Sequence, residues 1–272
     1  VIRHDGANAF DEEAKALYYG RAGRVPFTLI YNKPIAYRHG LALYVEGPSI
    51  AKHALHAEGS PFIEPPVTPV IVEVPGKKAV VQRSFMSDGK GKRTHCVSVG
   101  TPKGIHFTID TQDGTIFRAW DGGFLDATPM WHRRGNGQVA LPSGAGIRFQ
   151  SIPLVRLDGQ PADLRFIEYT LDRQGLPEFQ YQVNDFLIRD KIVPSDTGRS
   201  VTRTITSQGQ GKIEFQIAAG RAVEKVGEGV LLVNDKEYYL FVKSDRPVEI
   251  RNSNNMSVVV VSGDLVEYTV LW

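Results

Sequence analysis

From Ala79 onward the chain alternates apolar and polar residues in short runs, and glycine- or aspartate-rich turns separate the runs. AVVQRSFM and THCVSVG flank the turn DGKGK, and GIHFTIDT and TIFRAWDGG flank QDG. Apolar residues recurring every second position, with glycines where the chain must reverse, predict antiparallel hairpins. After a glycine-rich stretch at 135–146, further runs follow. They include IRFQSI, LRFIEYTLD, PEFQYQVNDFLIRDKI, SVTRTITSQ, KIEFQIAAG, YYLFVKS and SVVVVSG, and the last is LVEYTVLW. In RFIEYTL, strict alternation sets Phe166, Glu168 and Thr170 opposite Ile167, Tyr169 and Leu171. With almost no helical period between them, so many strands predict a mainly β chain, an antiparallel β-sandwich with a short N-terminal helix-containing segment. No blade-length repeat favours a propeller.

The N-terminal part reads differently. DEEAKALYY at Asp11–Tyr19 predicts a helix, with Asp11 as cap, acidic residues in the first turn and Gly20 to end it. A second helix is considered for Ile50–Ala57, which would set His53 and His56 on one face. That pair has metal-ligand spacing, with His39 or Glu58 nearby, but no HExxH motif supports it. Residues 60–78 are proline-rich and predict an extended connector or edge strand. The expected organisation is an N-terminal segment over 1–75 and a β domain over 76–272.

Composition is that of a globular chain, at 42% apolar and 23% charged residues. A net charge of +2 and scattered aromatics give no pattern for binding nucleic acid. The single cysteine, Cys96, excludes an intrachain disulfide and a CxxCH haem-attachment site, and its strand context suits a small buried apolar residue. No apolar run is long enough to span a bilayer. The chain begins at Val1 with no signal-peptide pattern and is read as a processed chain or a fragment, which is compatible with export.

The densest chemistry lies at 95–146, which holds Trp120 and Trp131, three histidines and many glycines. Aromatic rings can cover the C–H faces of a sugar while aspartate, histidine and arginine meet its hydroxyl edges. Asp121, Asp126, Trp131, His132, Arg133 and Arg134 are the candidate ligand-binding residues, and Gly122–Gly123 would let a ligand approach the backbone. Trp120, three residues after Phe117, reads as core. Acid–base candidates are His106, His132, Asp110, Asp121 and Asp126. No G-x-S-x-G motif, phosphate loop or metal-ligand spacing accompanies them.

Four phrases occur in order: VQRSFM, THCVSVGTPKGIHFTIDTQDGTIFRAWDGGFLDATPMWHRRGNG, RFIEYTLDRQGLPEFQYQVND and SVTRTITSQGQGKIEFQIAAG. Together they resemble a β-rich module of large exported proteins of planctomycete and Bacteroidetes type. Those proteins also carry c-type cytochrome and sugar-dehydrogenase-like domains. The resemblance covers roughly residues 80–220. It implies a periplasmic or otherwise exported module with a carbohydrate ligand or a c-type cytochrome or dehydrogenase partner, and it names no cofactor. Three functions follow as expectations. The first is a module binding carbohydrate or docking a partner domain in a periplasmic assembly. The second is a sugar-active epimerase or lyase using His and Asp as acid and base, and the third is a non-covalent haem-binding subunit of an electron-transfer complex.

Overall fold

The structure, a computed structural model, describes residues 17–19, 23–28, 43–55, 67–89, 91–234, 236–253 and 255–272. The chain divides into two compact units, Val1–Pro66 and Val67–Trp272, so the division falls within the proline-rich stretch.

In the first unit, β1 (Tyr44–Gly47) and β2 (Ile50–Ala54) form an exposed antiparallel hairpin. The helix considered for Ile50–Ala57 is therefore corrected: its first five residues are strand. Gly47 pairs with Ile50 across Pro48–Ser49, and a turn proline followed by β-branched Ile50 favours extended chain over a helical start. His53 pairs with Val45, while His39, His56 and Glu58 lie outside the described residues. Of the expected Asp11–Tyr19 helix, residues 11–16 also lie outside them, and Leu17–Tyr19 are exposed and not helical.

The second unit is mainly antiparallel β. It opens with β3 (Ile71–Val72), β4 (Val80–Ser87), β5 (Lys92–Gly100), β6 (Ile105–Asp110) and β7 (Thr115–Asp126). After helix α1 (Thr128–His132) and a single 3-10 turn at Gly135–Gly137 come β8 (Leu141–Arg148), β9 (Val155–Leu157) and β10 (Gln160–Pro161). Then follow β11 (Arg165–Leu171), β12 (Pro177–Val183), β13 (Phe186–Pro194), β14 (Ser200–Gln208), β15 (Ile213–Gly220) and β16 (Val223–Gly227). The chain ends with β17 (Val230–Val233), β18 (Tyr238–Lys243), β19 (Val248–Ser253), β20 (Met256–Ser262) and β21 (Leu265–Leu271).

Three sheets result. One runs β3-β7-β6-β5-β4, with β8 on the other edge of β7. A second runs β10-β9-β15-β20-β19, and a third runs β11-β12-β13-β14-β21-β18-β17-β16. Phe107 of the first sheet, Phe215 and Val261 of the second and Phe179 and Ile188 of the third are buried in one shared core. Arg203, fully buried on β14, pins two of these sheets together. Its Nε and Nη2 donate to the Asp190 carboxylate at 2.8 and 2.6 Å, and Nη2 also reaches the Gly114 carbonyl in the β6–β7 turn at 2.6 Å.

Strand β11 departs from the expected alternation. A bulge between Phe166 and Glu168 turns Phe166 and Tyr169 to the same face, where they pack on Tyr181 and Phe179. Ile167 and Leu171 are left exposed. The extra residue of a bulge shifts every later side chain by one position, and period-2 reading cannot anticipate that.

Candidate functional site

Strand β6 is buried on both faces, and this sets the character of the candidate region. Ile105, Phe107 and Ile109 point into the shared core. The alternate residues, His106, Thr108 and Asp110, are polar and equally buried on the opposite face. Beside them a second apolar cluster gathers Met86, Cys96, Phe117, Trp120, Phe124, Leu125 and Ala140. The chain after β7 contributes to this side, because the Ala140 amide donates to the Phe85 carbonyl at 2.8 Å.

Polar groups on this face are satisfied by one another. The Ser98 hydroxyl bonds those of Ser84 and Thr108 at 2.8 and 2.7 Å. Asp110 accepts from the Gln112 amide at 3.0 Å and from Arg93 Nη1 at 3.2 Å. Burial raises its carboxyl above the usual range, with the Gln112 bond and the Arg93 charge acting against that shift. Cys96 is sealed in the cluster, and burial pushes its thiol upward, away from nucleophilic use.

His106 sits between Trp120 and Phe124, with ring centroids 5.6 and 5.3 Å away. Nδ1 faces the Thr101 amide at 3.0 Å and Nε2 faces the Gly122 carbonyl at 2.9 Å. An amide can only donate and a carbonyl only accept, so the ring is neutral with its proton on Nε2. Burial lowers its pKa below the usual 6.5. Both nitrogens are committed to backbone, so the ring has no free position for proton transfer.

Trp120 is wholly buried. It stacks on Phe124 at 6.0 Å and 6° between planes, and its Nε1 donates to the Gly123 and Phe124 carbonyls at 3.0 Å. Strand β8 lies against it through glycines: a Cβ on Gly146 would collide with Ala119 O and Trp120, and one on Gly144 with Asp121 O. Gly100 plays a related part, since a Cβ there would come within 2.7 Å of the Phe124 ring.

The candidate ligand-binding residues fall into two places. Asp121 and Asp126 both lie on β7, five residues apart, which is roughly 16 Å along an extended strand. Asp121 borders an open cleft of about 360 Å³, lined also by Lys103, Gly104, Gly122, Asp196 and Arg199. Its Oδ2 accepts from Arg199 Nη2 at 3.0 Å, its Oδ1 is buried without a hydrogen-bond partner, and Lys103 pairs with Asp196. Sequence reading missed Arg199, Lys103 and Asp196, and Arg199 lies 78 positions from Asp121.

Asp126 acts locally: its Oδ1 accepts from the Thr128 amide at 2.8 Å, and the Thr128 hydroxyl accepts from the Val70 amide at 2.8 Å. This turn starts α1, and Pro129 lies in its first turn. The helix presents Trp131, which is 66% exposed. Exposed His132 reaches the Thr68 carbonyl through Nε2 at 3.2 Å. Arg133 and Arg134 follow, both exposed, with Arg134 Nη1 donating to the Arg133 carbonyl at 2.9 Å. Four adjacent residues thus offer an open indole, an imidazole and two guanidinium groups. Thr128 followed by Pro129, two residues after an aspartate, was the available sequence signal for this corner.

Among the described residues no group of three or more His, Cys, Asp or Glu side chains is placed to hold a metal, and no helix is long and apolar enough to cross a membrane. No family model, curated protein or solved structure matches the chain.

Proposed function

We propose that the second unit is a non-catalytic β-sandwich module that binds carbohydrate at the Trp131–Arg134 corner. The single observation that carries this reading is the exposure of Trp131, which contrasts with the complete burial of Trp120 eleven residues earlier. An indole costs free energy to leave in water, and a flat aromatic face flanked by hydrogen-bonding side chains suits the apolar face of a sugar ring. His132, Arg133 and Arg134 stand ready for its hydroxyls. The backbone commitment of both His106 nitrogens favours binding over acid–base catalysis. The shared core of three antiparallel sheets supports the sandwich arrangement.

Export, and assembly with a c-type cytochrome or dehydrogenase-like partner, belong to the same proposal and rest on the resemblance of residues 80–220. A glycan array carrying neutral and acidic oligosaccharides tests the reading. Binding to a defined saccharide class supports it, and an array with no signal contradicts it.

A further inference from the structure

Arg118 of β7 and Arg148 of β8 are direct register partners across an antiparallel pair. Side chains so placed stand on one face with Cβ atoms about 5 Å apart, where like charges destabilise the pairing. Three other arginines of this unit are neutralised by acids. Arg93 meets Asp88, Asp110 and Asp113, Arg203 meets Asp190, and Arg251 meets Glu214 and Glu249. Arg118 and Arg148 have no ion pair or hydrogen bond among the described residues.

Arg118 is half-buried, with its Nε sealed from solvent and lacking an acceptor. Its charge must therefore be met through its outer nitrogens. Burial first, and the Arg148 charge second, lower its pKa. The Arg148 guanidinium lies over Gly89 in the β4–β5 turn, close enough that a Cβ there would sit 3.1 Å from Nη1. The two arginines thus face each other across neighbouring strands, Arg118 half-buried and Arg148 exposed.

We propose that Arg118 and Arg148 form an oxyanion site that takes a sulfate or phosphate group. A doubly charged tetrahedral oxyanion accepts hydrogen bonds from both guanidinium groups and removes the repulsion between them. The site is independent of the Trp131 reading, and it takes the same group whether free or carried on a saccharide.

The test uses the intact chain and three probes at matched ionic strength: inorganic sulfate, inorganic phosphate and a sulfated disaccharide, with chloride as reference. Calorimetric titration and thermal unfolding are run on the parent, Arg148→Gln and Arg118→Gln. The exposed Arg148 makes the first variant safe for folding. Both variants are expected to lose affinity at least tenfold, as removal of a charge-assisted donor predicts. In chloride, Arg148→Gln should unfold no earlier than the parent, because a repulsion has been removed, and it should lose the extra rise in Tm that sulfate gives the parent. Tighter binding of the disaccharide than of inorganic sulfate identifies a sugar-borne group, and equal binding identifies the free anion. A parent that binds none of the probes overturns the site, as does an Arg148→Gln chain stabilised by sulfate as much as the parent, since sulfate also acts non-specifically.

Discussion

The amide of Thr101 lies 3.0 Å from Nδ1 of His106, so that nitrogen must accept and cannot carry a proton without breaking the contact. Protonation would oppose two donors in a buried space, and burial lowers the His106 pKa below 6.5. The unfolded chain then takes up protons more readily than the native one. Stability from this group is present above pH 6.5 and falls as pH drops through 6.5 toward the lowered native value. Urea denaturation over this range should show the loss in the parent, and it should be reduced in His106→Gln. NMR should find the native ring as the Nε2–H tautomer.

The two tryptophans should respond oppositely to truncation. Trp120→Ala leaves a cavity in a closed cluster and breaks the indole hydrogen bonds, costing about 3–5 kcal/mol. Trp131→Ala, on an exposed corner, should change stability by no more than about 0.5 kcal/mol. Denaturant unfolding of both variants checks the contrast.

Gly146 should be intolerant of even a methyl group. Its missing Cβ would strike Ala119 O and Trp120, so Gly146→Ala must push β8 from β7 or shift the indole. Overpacking of this kind costs about 1–3 kcal/mol. Thermal unfolding should show a lower midpoint, whereas Gly159→Ala, with open space at its Cβ but a left-handed φ of 74°, should pay only a backbone penalty.

The Arg203–Asp190 pair should be costly to break and far cheaper to replace. Asp190→Leu alone strands a buried guanidinium and should destabilise by about 3–5 kcal/mol. Adding Arg203→Met should recover most of that loss, which a double-mutant cycle would measure.

Much of the β architecture was legible because one-sided burial imposes a period of two. PEFQYQV is the clearest case, with alternate residues buried along all of β12. The turns at DGKGK and QDG also declared themselves, the second with Gly114 in left-handed backbone. Strand β6 was harder to interpret, since its polar residues His106, Thr108 and Asp110 are as buried as the apolar residues they alternate with, covered by a second layer of chain. The β11 bulge was invisible because a single inserted residue leaves no compositional mark. At the candidate site, the exposure of Trp131 followed from a five-residue helix too short to show periodicity. The Asp121–Arg199 ion pair joins β7 to the β13–β14 loop of a different sheet, a contact that no local pattern carries.

The central claim is that exposed Trp131 is a sugar-binding surface. Its most direct test is calorimetric titration of the parent and of Trp131→Ala with the best saccharide from the array. The account predicts saturable binding by the parent and its loss in the variant, with both chains unfolding at the same denaturant concentration. Equal binding by the two chains would contradict it.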